Sequence, residues 1–172
     1  MTAEIFSIRS EDPNSSDAQT LLDELTAMNS IFGPVGSERP FASFTLPGRS
    51  VLLLVRDSTG VPFGCGAFTP KSHFNATLTG PYCRSDRVEV NEAVLRRLER
   101  SGAQFGFLAL NIDVSEKNYR ALAFFRACGF LPTTTSIYRP KTAGACSLQK
   151  PLSQKAGHFR SVESRASLSK RL

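Results

Sequence analysis

Cysteine and histidine supply the strongest nucleophiles and metal ligands a chain can carry, so their spacing is the first test of its chemistry. Cys65, Cys83, Cys128 and Cys146 lie far apart with no C-x-x-C pair, and His73 and His158 fall in no metal-ligand spacing. The pattern reads as a reduced, cytoplasmic chain without a metal. Cys65 and Cys128 read as small buried hydrophobes, because no histidine is close enough in sequence to activate them. His73, on a polar stretch, reads as a solvated loop residue. Asp86 and Glu89 could form an acid–base pair, but a carboxylate three residues before a glutamate is also what a helix capping box needs, and that reading comes first. Asn118 opens a helical pattern and could cap it or bond a ligand. Phe124 and Phe125, beside the glycine that stops that helix, read as core.

The elements that must position these residues follow from hydrophobic periodicity. Ile5 to Arg9 alternates as a strand, and Asp17 to Met28 carries Leu21, Leu22, Leu25 and Met28 at helical spacing. Glu38 to Gly48 is broken by proline and glycine and reads as a loop, with a short helical turn at Phe41 to Phe44. Val51 to Arg56 and Pro62 to Thr69 read as a hairpin around the turn Asp57 to Gly60. Asn75 to Thr79 could be a strand, but Gly80 and Pro81 interrupt it. From Val88 a helix places Val90, Val94, Leu95 and Leu98 on one face. Phe105 to Ile112 suits a strand buried on both faces, with the helices Val88 to Arg100 and Asn118 to Ala127 packed beside it. Two strands follow, around Thr133 to Arg139 and Ala145 to Lys150. The order predicts an α/β domain: a mixed sheet with helices on both faces.

The chain has 172 residues, 41% hydrophobic and 21% charged, enough for one domain with its own core. The formal charge of +6 is concentrated at one end, since five of the 21 basic residues and one of the 15 acidic ones fall after Leu152. A Ser- and Ala-rich basic stretch of this kind reads as a disordered tail, so the expected division is a folded domain over residues 1–152 and a tail over 153–172. Nucleic acid is not expected as a partner beyond a contact by that tail. The longest apolar run, Val51 to Val55, is too short for a bilayer, and Met1 to Ser10 lacks a signal-peptide core; neither secretion nor membrane embedding is expected.

Residues 51–68, VLLLVRDSTGVPFGCGAF, and residues 94–130, ending in the frame Asn118-x-x-Ala121-x-x-x-Phe125-x-x-x-Gly129-Phe130, resemble the GNAT N-acetyltransferases. The resemblance spans roughly residues 5 to 152. It implies a mixed, mostly antiparallel central sheet with helices on both faces, and acetyl transfer from acetyl-CoA to a primary amine of a small molecule or peptide, with the cosubstrate held in a split between the fourth and fifth strands. By position it implies that Tyr82, Cys83, Arg84, Arg87, Val88, Asn118 and Phe125 contact acetyl-CoA. A second copy of the chain remains open as a partner.

The same comparison exposes three departures. The glycine-rich loop that offers backbone N–H groups to the pyrophosphate at a helix N-terminus is replaced by Ser85 to Asn91, shorter and without glycine. Asp86 and Glu89 put carboxylates there, partly offset by Arg84 and Arg87. Thr77 stands where many relatives carry a glutamate base, and Phe125 where they carry a tyrosine acid. Pro81 lacks an N–H in the strand that should pair with the pantetheine arm. The expected consequence is weak acetyl-CoA binding, with a catalytically impaired binding or regulatory module as the alternative to an active enzyme.

Overall fold

The computed structural model describes residues 5–33, 48–133 and 144–154. In chain order the elements are β1 (Phe6–Ser10), α1 (Ser16–Ser30), β2 (Val51–Asp57), β3 (Pro62–Pro70), β4 (Asn75–Cys83), α2 (Val88–Gln104), β5 (Ala109–Ser115), α3 (Tyr119–Ala127), β6 (Leu131–Pro132) and β7 (Ala145–Pro151). The seven strands form one sheet in the order β1-β2-β3-β4-β5-β7-β6, antiparallel except for the β4–β5 pair. This is the mixed sheet that the order of elements predicts, and it is mostly antiparallel, as the resemblance implies.

The apolar run in β2 follows from cover on both faces. Leu52 and Leu54 pack with Leu21, Leu22 and Leu25 of α1, whereas Leu53 and Val55 face Val90, Val94, Leu95 and Leu98 of α2. Alternate side chains of a strand point to opposite faces, so α1 covers one side of the sheet and α2 the other, where Leu122 and Phe125 of α3 join the same core. The β2–β3 turn is tied by Asp57, whose Oδ1 accepts from the Thr59 and Val61 N–H groups at 2.9 and 3.0 Å, with Gly60 at φ +87°. Ser15 caps α1 by accepting from the Ala18 N–H at 3.2 Å.

Two sequence expectations are corrected. The apolar run from Phe105 does not begin a strand: Phe105 closes α2, Gly106 takes φ +84°, and the Phe107 N–H bonds the Gly102 carbonyl at 3.0 Å, so β5 starts only at Ala109. Phe107 is fully buried inside that turn while Leu108 is exposed, a pattern that apolar content alone does not separate from a strand. The strand itself is interior, between β4 and β7. Nor do Gly80 and Pro81 end β4. They sit in a bulge, where the register slips by one residue opposite Cys65 to Ala67, and Gly80 adopts φ +78°. The expected helical turn at 41–44, residues 134–139 of the expected penultimate strand, and the tail from residue 155 lie outside the described residues. Leu152 is buried, and Gln154 still donates to the Phe107 carbonyl at 2.8 Å.

Candidate active site

The β4–β5 ladder is short. It runs from Asn75 opposite Ala109 to Thr77 opposite Asn111, after which the two strands pair with each other no further. A bulge bends its strand and sharpens the local twist, and the bulge at Gly80 falls three residues past the last rung. Gly66, opposite it, has no room for a side chain, since a Cβ there would lie 2.6 Å from Val94 of α2. The sequence thus splays β4 away from β5 while β3 stays pressed against the helix.

A cavity of about 270 Å3 lies in the resulting wedge. Its edges are Gly80 to Cys83 of β4 and Ile112 to Ser115 of β5. On one face of the sheet it is walled by Leu25, Met28, Asn29 and Phe32 at the end of α1, and on the other by Val88, Asn91, Ala121, Phe124 and Phe125 of α2 and α3. Because those helices lie on opposite faces, the cavity is lined from both sides of the sheet. Phe125 is 4% exposed and meets Phe130 edge-on at 5.2 Å between ring centroids.

The mouth, where α2 begins, is charged. Arg87 is the N-cap and no side chain caps the helix; the expected capping box is absent, because the Glu89 carboxylate instead accepts from Arg87 Nε at 2.7 Å. Asp86 precedes the cap at φ +46°, a conformation glycine adopts easily and aspartate tolerates, and its carboxylate pairs with Arg120 at the start of α3. Arg84 bonds Glu24 of α1 through two nitrogens, at 2.7 and 2.9 Å, and the Pro62 carbonyl at 3.1 Å. Each of these three arginines therefore already holds a carboxylate.

Tyr82 lies where the cavity meets α1, its hydroxyl donating to Glu24 at 3.0 Å. Burial and that bond to a carboxylate push the phenol up to about 12, while the Arg84 hydrogen bond pulls Glu24 below its ordinary value. Cys65 is fully buried and its thiol is raised to about 12 by desolvation, which makes it inert as a nucleophile. Asn118 caps α3, its Oδ1 accepting from the Ala121 N–H at 3.1 Å, and also lines the cavity. Among the described residues no cluster of three or more His, Cys, Asp or Glu could hold a metal, and no helix is long and apolar enough to cross a membrane.

No protein-family model matches the chain, and no curated protein matches its sequence. Solved structures do. A Klebsiella pneumoniae protein described as an acyl-CoA N-acyltransferase superposes with a TM-score of 0.72 at 19% identity, over 86% of this chain and 98% of that one. An acetyltransferase of the GNAT family from Staphylococcus aureus gives 0.69 at 11%, over 87% and 100%. Spermidine N-acetyltransferase from Vibrio cholerae, in complex with CoA and spermine, gives 0.63 at 14%, over 87% and 96%.

The chain has the GNAT fold.

On this GNAT scaffold, Tyr82, Cys83, Val88, Asn118 and Phe125 converge on the cavity. Arg84 and Arg87 do not line it: one is drawn to Glu24 and the other to Glu89, with its guanidinium 6.0 Å from the Phe6 ring. Thr77 sits on the last rung of the ladder, at the closed end of the wedge. The sequence reading missed Arg120, Glu24 and Asn91. For Asn91 a signal was present, because it shares the stripe of Val94, Leu95 and Leu98 at helical spacing, one polar residue on a buried face. Its Oδ1 is shut off from solvent without a hydrogen-bond partner, a state that costs about 1–3 kcal/mol.

Proposed function

We propose that the chain is an N-acetyltransferase that moves an acetyl group from acetyl-CoA to a primary amine of a small molecule or peptide. The observation that carries this reading is the wedge between β4 and β5, lined from both faces of the sheet. One reactant can lie between α2 and α3 and the other against α1, so that the two meet at the strand edges. Holding reactants in that relation supplies much of the rate of a direct transfer. Bound between the helices, acetyl-CoA supplies an activated thioester carbonyl. Val88, Asn91, Asn118 and Phe125 would line its arm, and Arg120 is the cation at the mouth.

The acceptor face holds Leu25, Met28, Phe32 and the Tyr82 ring, with Asn29 as a neutral polar group. Glu24, the nearby carboxylate, is neutralised by Arg84, so this wall favours an amine on an apolar carrier over a polycation. With its phenol raised to about 12, Tyr82 is already protonated near neutral pH and cannot take up the amine proton. The cavity carboxylates Asp86 and Asp113 are engaged by Arg120 and by the Ser147 hydroxyl. Solvent therefore serves as base: the free amine attacks the carbonyl carbon, the C–S bond breaks, and the departing sulfur is protonated from water.

A second reading, a GNAT-fold binding module without turnover, is favoured by one observation: carboxylates stand at the start of α2 where an anion would bind. Losing two charge-assisted N–H bonds, each contributing about 1.5–3 kcal/mol, would weaken acetyl-CoA by about two to four decades. Calorimetric titration with acetyl-CoA, followed by thiol release in the presence of a panel of amines, separates the readings. Amine-dependent thiol release is the expected result. Saturable binding with no release for any amine would leave the module, and no binding at millimolar acetyl-CoA would exclude both uses of the cofactor.

A further inference from the structure

We propose that Asp113 pairs with the acceptor in its ammonium form and so selects a singly charged alkylamine over a neutral molecule of the same shape. The inference rests on the acetyl-transfer reading above and names the acceptor class. Asp113 belongs to the β5 edge of the cavity. Its neighbours Ile112 and Val114 enter the core shared with α2 and α3, so strand alternation sends Asp113 to the α1 side, where the acceptor is placed. Ser115 points the same way: its hydroxyl donates at 2.8 Å to the Phe32 carbonyl, just beyond α1.

The other polar groups on this side are already satisfied. Ser115 is used by Phe32, and Asn111 accepts from Gln149 Nε2 at 3.0 Å and donates to the Ala76 carbonyl at 3.4 Å. Of the carboxylates around the cleft, Glu24 is paired with Arg84 and Asp86 with Arg120. Asp113 differs. The Ser147 hydroxyl donates to its Oδ1 at 2.6 Å and fixes the group, but a neutral donor does not cancel the charge, and among the described residues no cation pairs with it. A ligand that fills the cavity displaces solvent from this carboxylate in a cleft lined by Leu25, Met28 and Phe32. A neutral ligand gives nothing in return, whereas an ammonium supplies a charge-assisted hydrogen bond. With a single uncompensated anion, the cleft matches one cation and leaves a second ammonium without a partner.

The test uses full-length protein with benzylamine as the cation and benzyl alcohol as its neutral match, followed by amide NMR shifts that read millimolar affinities. Wild type should bind benzylamine about three- to tenfold more tightly, between the range of an exposed ion pair and that of a charge-assisted hydrogen bond, with shifts on α1 and β5. Asp113→Asn keeps an acceptor for Ser147 and removes the charge; it should erase the preference, hold the Tm and leave benzyl alcohol unaffected. In turnover with acetyl-CoA its loss should fall on the KM for benzylamine rather than on kcat, which separates a binding carboxylate from a base. Equal affinity of wild type for the two probes, a preference that survives in Asp113→Asn, an equal loss of both probes, or a loss carried by kcat would each overturn the proposal. An intact preference with no amine-dependent thiol release would instead remove the transfer reading on which it rests.

Discussion

At its inner end the cleft is walled by Leu, Val, Phe and the edges of β4 and β5, with neutral amides and the β5 residues Asp113 and Ser115 as its polar groups; at its mouth Arg84, Arg87 and Arg120 crowd around Glu24, Glu89 and Asp86. The inner end is made by features that cannot change without unfolding the sheet: the bulge at Gly80, the absent Cβ of Gly66 and the three-rung ladder. The mouth is made of partly exposed side chains from the β4–α2 turn and from α1, α2 and α3, and it is held by ion pairs. A cleft of this shape can therefore persist while the charges at its mouth neutralise one another.

The severest way to break this comparison is to fill the inner end. Ala121→Trp should push an indole from α3 into the cavity and weaken CoA more than a hundredfold, with little change in Tm because Ala121 is not fully buried. Retained CoA binding in calorimetry would place the ligand elsewhere. The next effect concerns turnover. With solvent as base, log kcat/KM should rise one unit per pH unit, about tenfold, until the acceptor amine's own pKa is reached, and two amines of different pKa should plateau at different pH values. A plateau at one fixed pH for both would reveal a protein base that the geometry does not show.

At the mouth the expected effects are smaller and of opposite sign. Asp86→Asn keeps a residue that tolerates positive φ, removes a carboxylate from the start of α2 and releases Arg120. CoA binding should tighten by up to about tenfold, while stability falls slightly, since a carboxylate near a helix N-terminus contributes about 0.3–1 kcal/mol. Arg120→Ala in the same background should reverse the gain. Unchanged affinity in both variants would show that the mouth does not meet the phosphates.

The strand and helix pattern was largely legible in the sequence because burial on one or two faces imposes its period directly. The place of the cleft, between the fourth and fifth strands, came from the family resemblance and not from periodicity. What escaped was set by contacts distant in sequence. Asp86 and Glu89 have the spacing of a capping box, yet Arg120, 34 positions later, and the neighbouring Arg87 claim their carboxylates. Phe105 to Leu108 has strand-like composition, but Gly106 at positive φ turns it around Phe107. Gly80 and Pro81 read as an interruption because a bulge becomes visible only beside its partner strand.

The smallest effect tests whether the mouth is held by charge. Glu24 accepts from Arg84 and Tyr82 and so ties α1 to the end of β4. The Arg84 hydrogen bond lowers its pKa in the folded state below the ordinary 4.5, so the ionised form is favoured by folding. The stabilisation is complete above that value and disappears as pH falls through the folded pKa. At about a third exposed, a pair of this kind contributes under about 1 kcal/mol, or at most about 2–4 °C in Tm for a chain of this size. Melting curves of wild type and Glu24→Gln should therefore differ by a few degrees at pH 7 and converge as pH drops below 4.5. A gap that persisted undiminished in acid would mean that Glu24 acts through packing, and that the charges at the mouth are incidental to the fold.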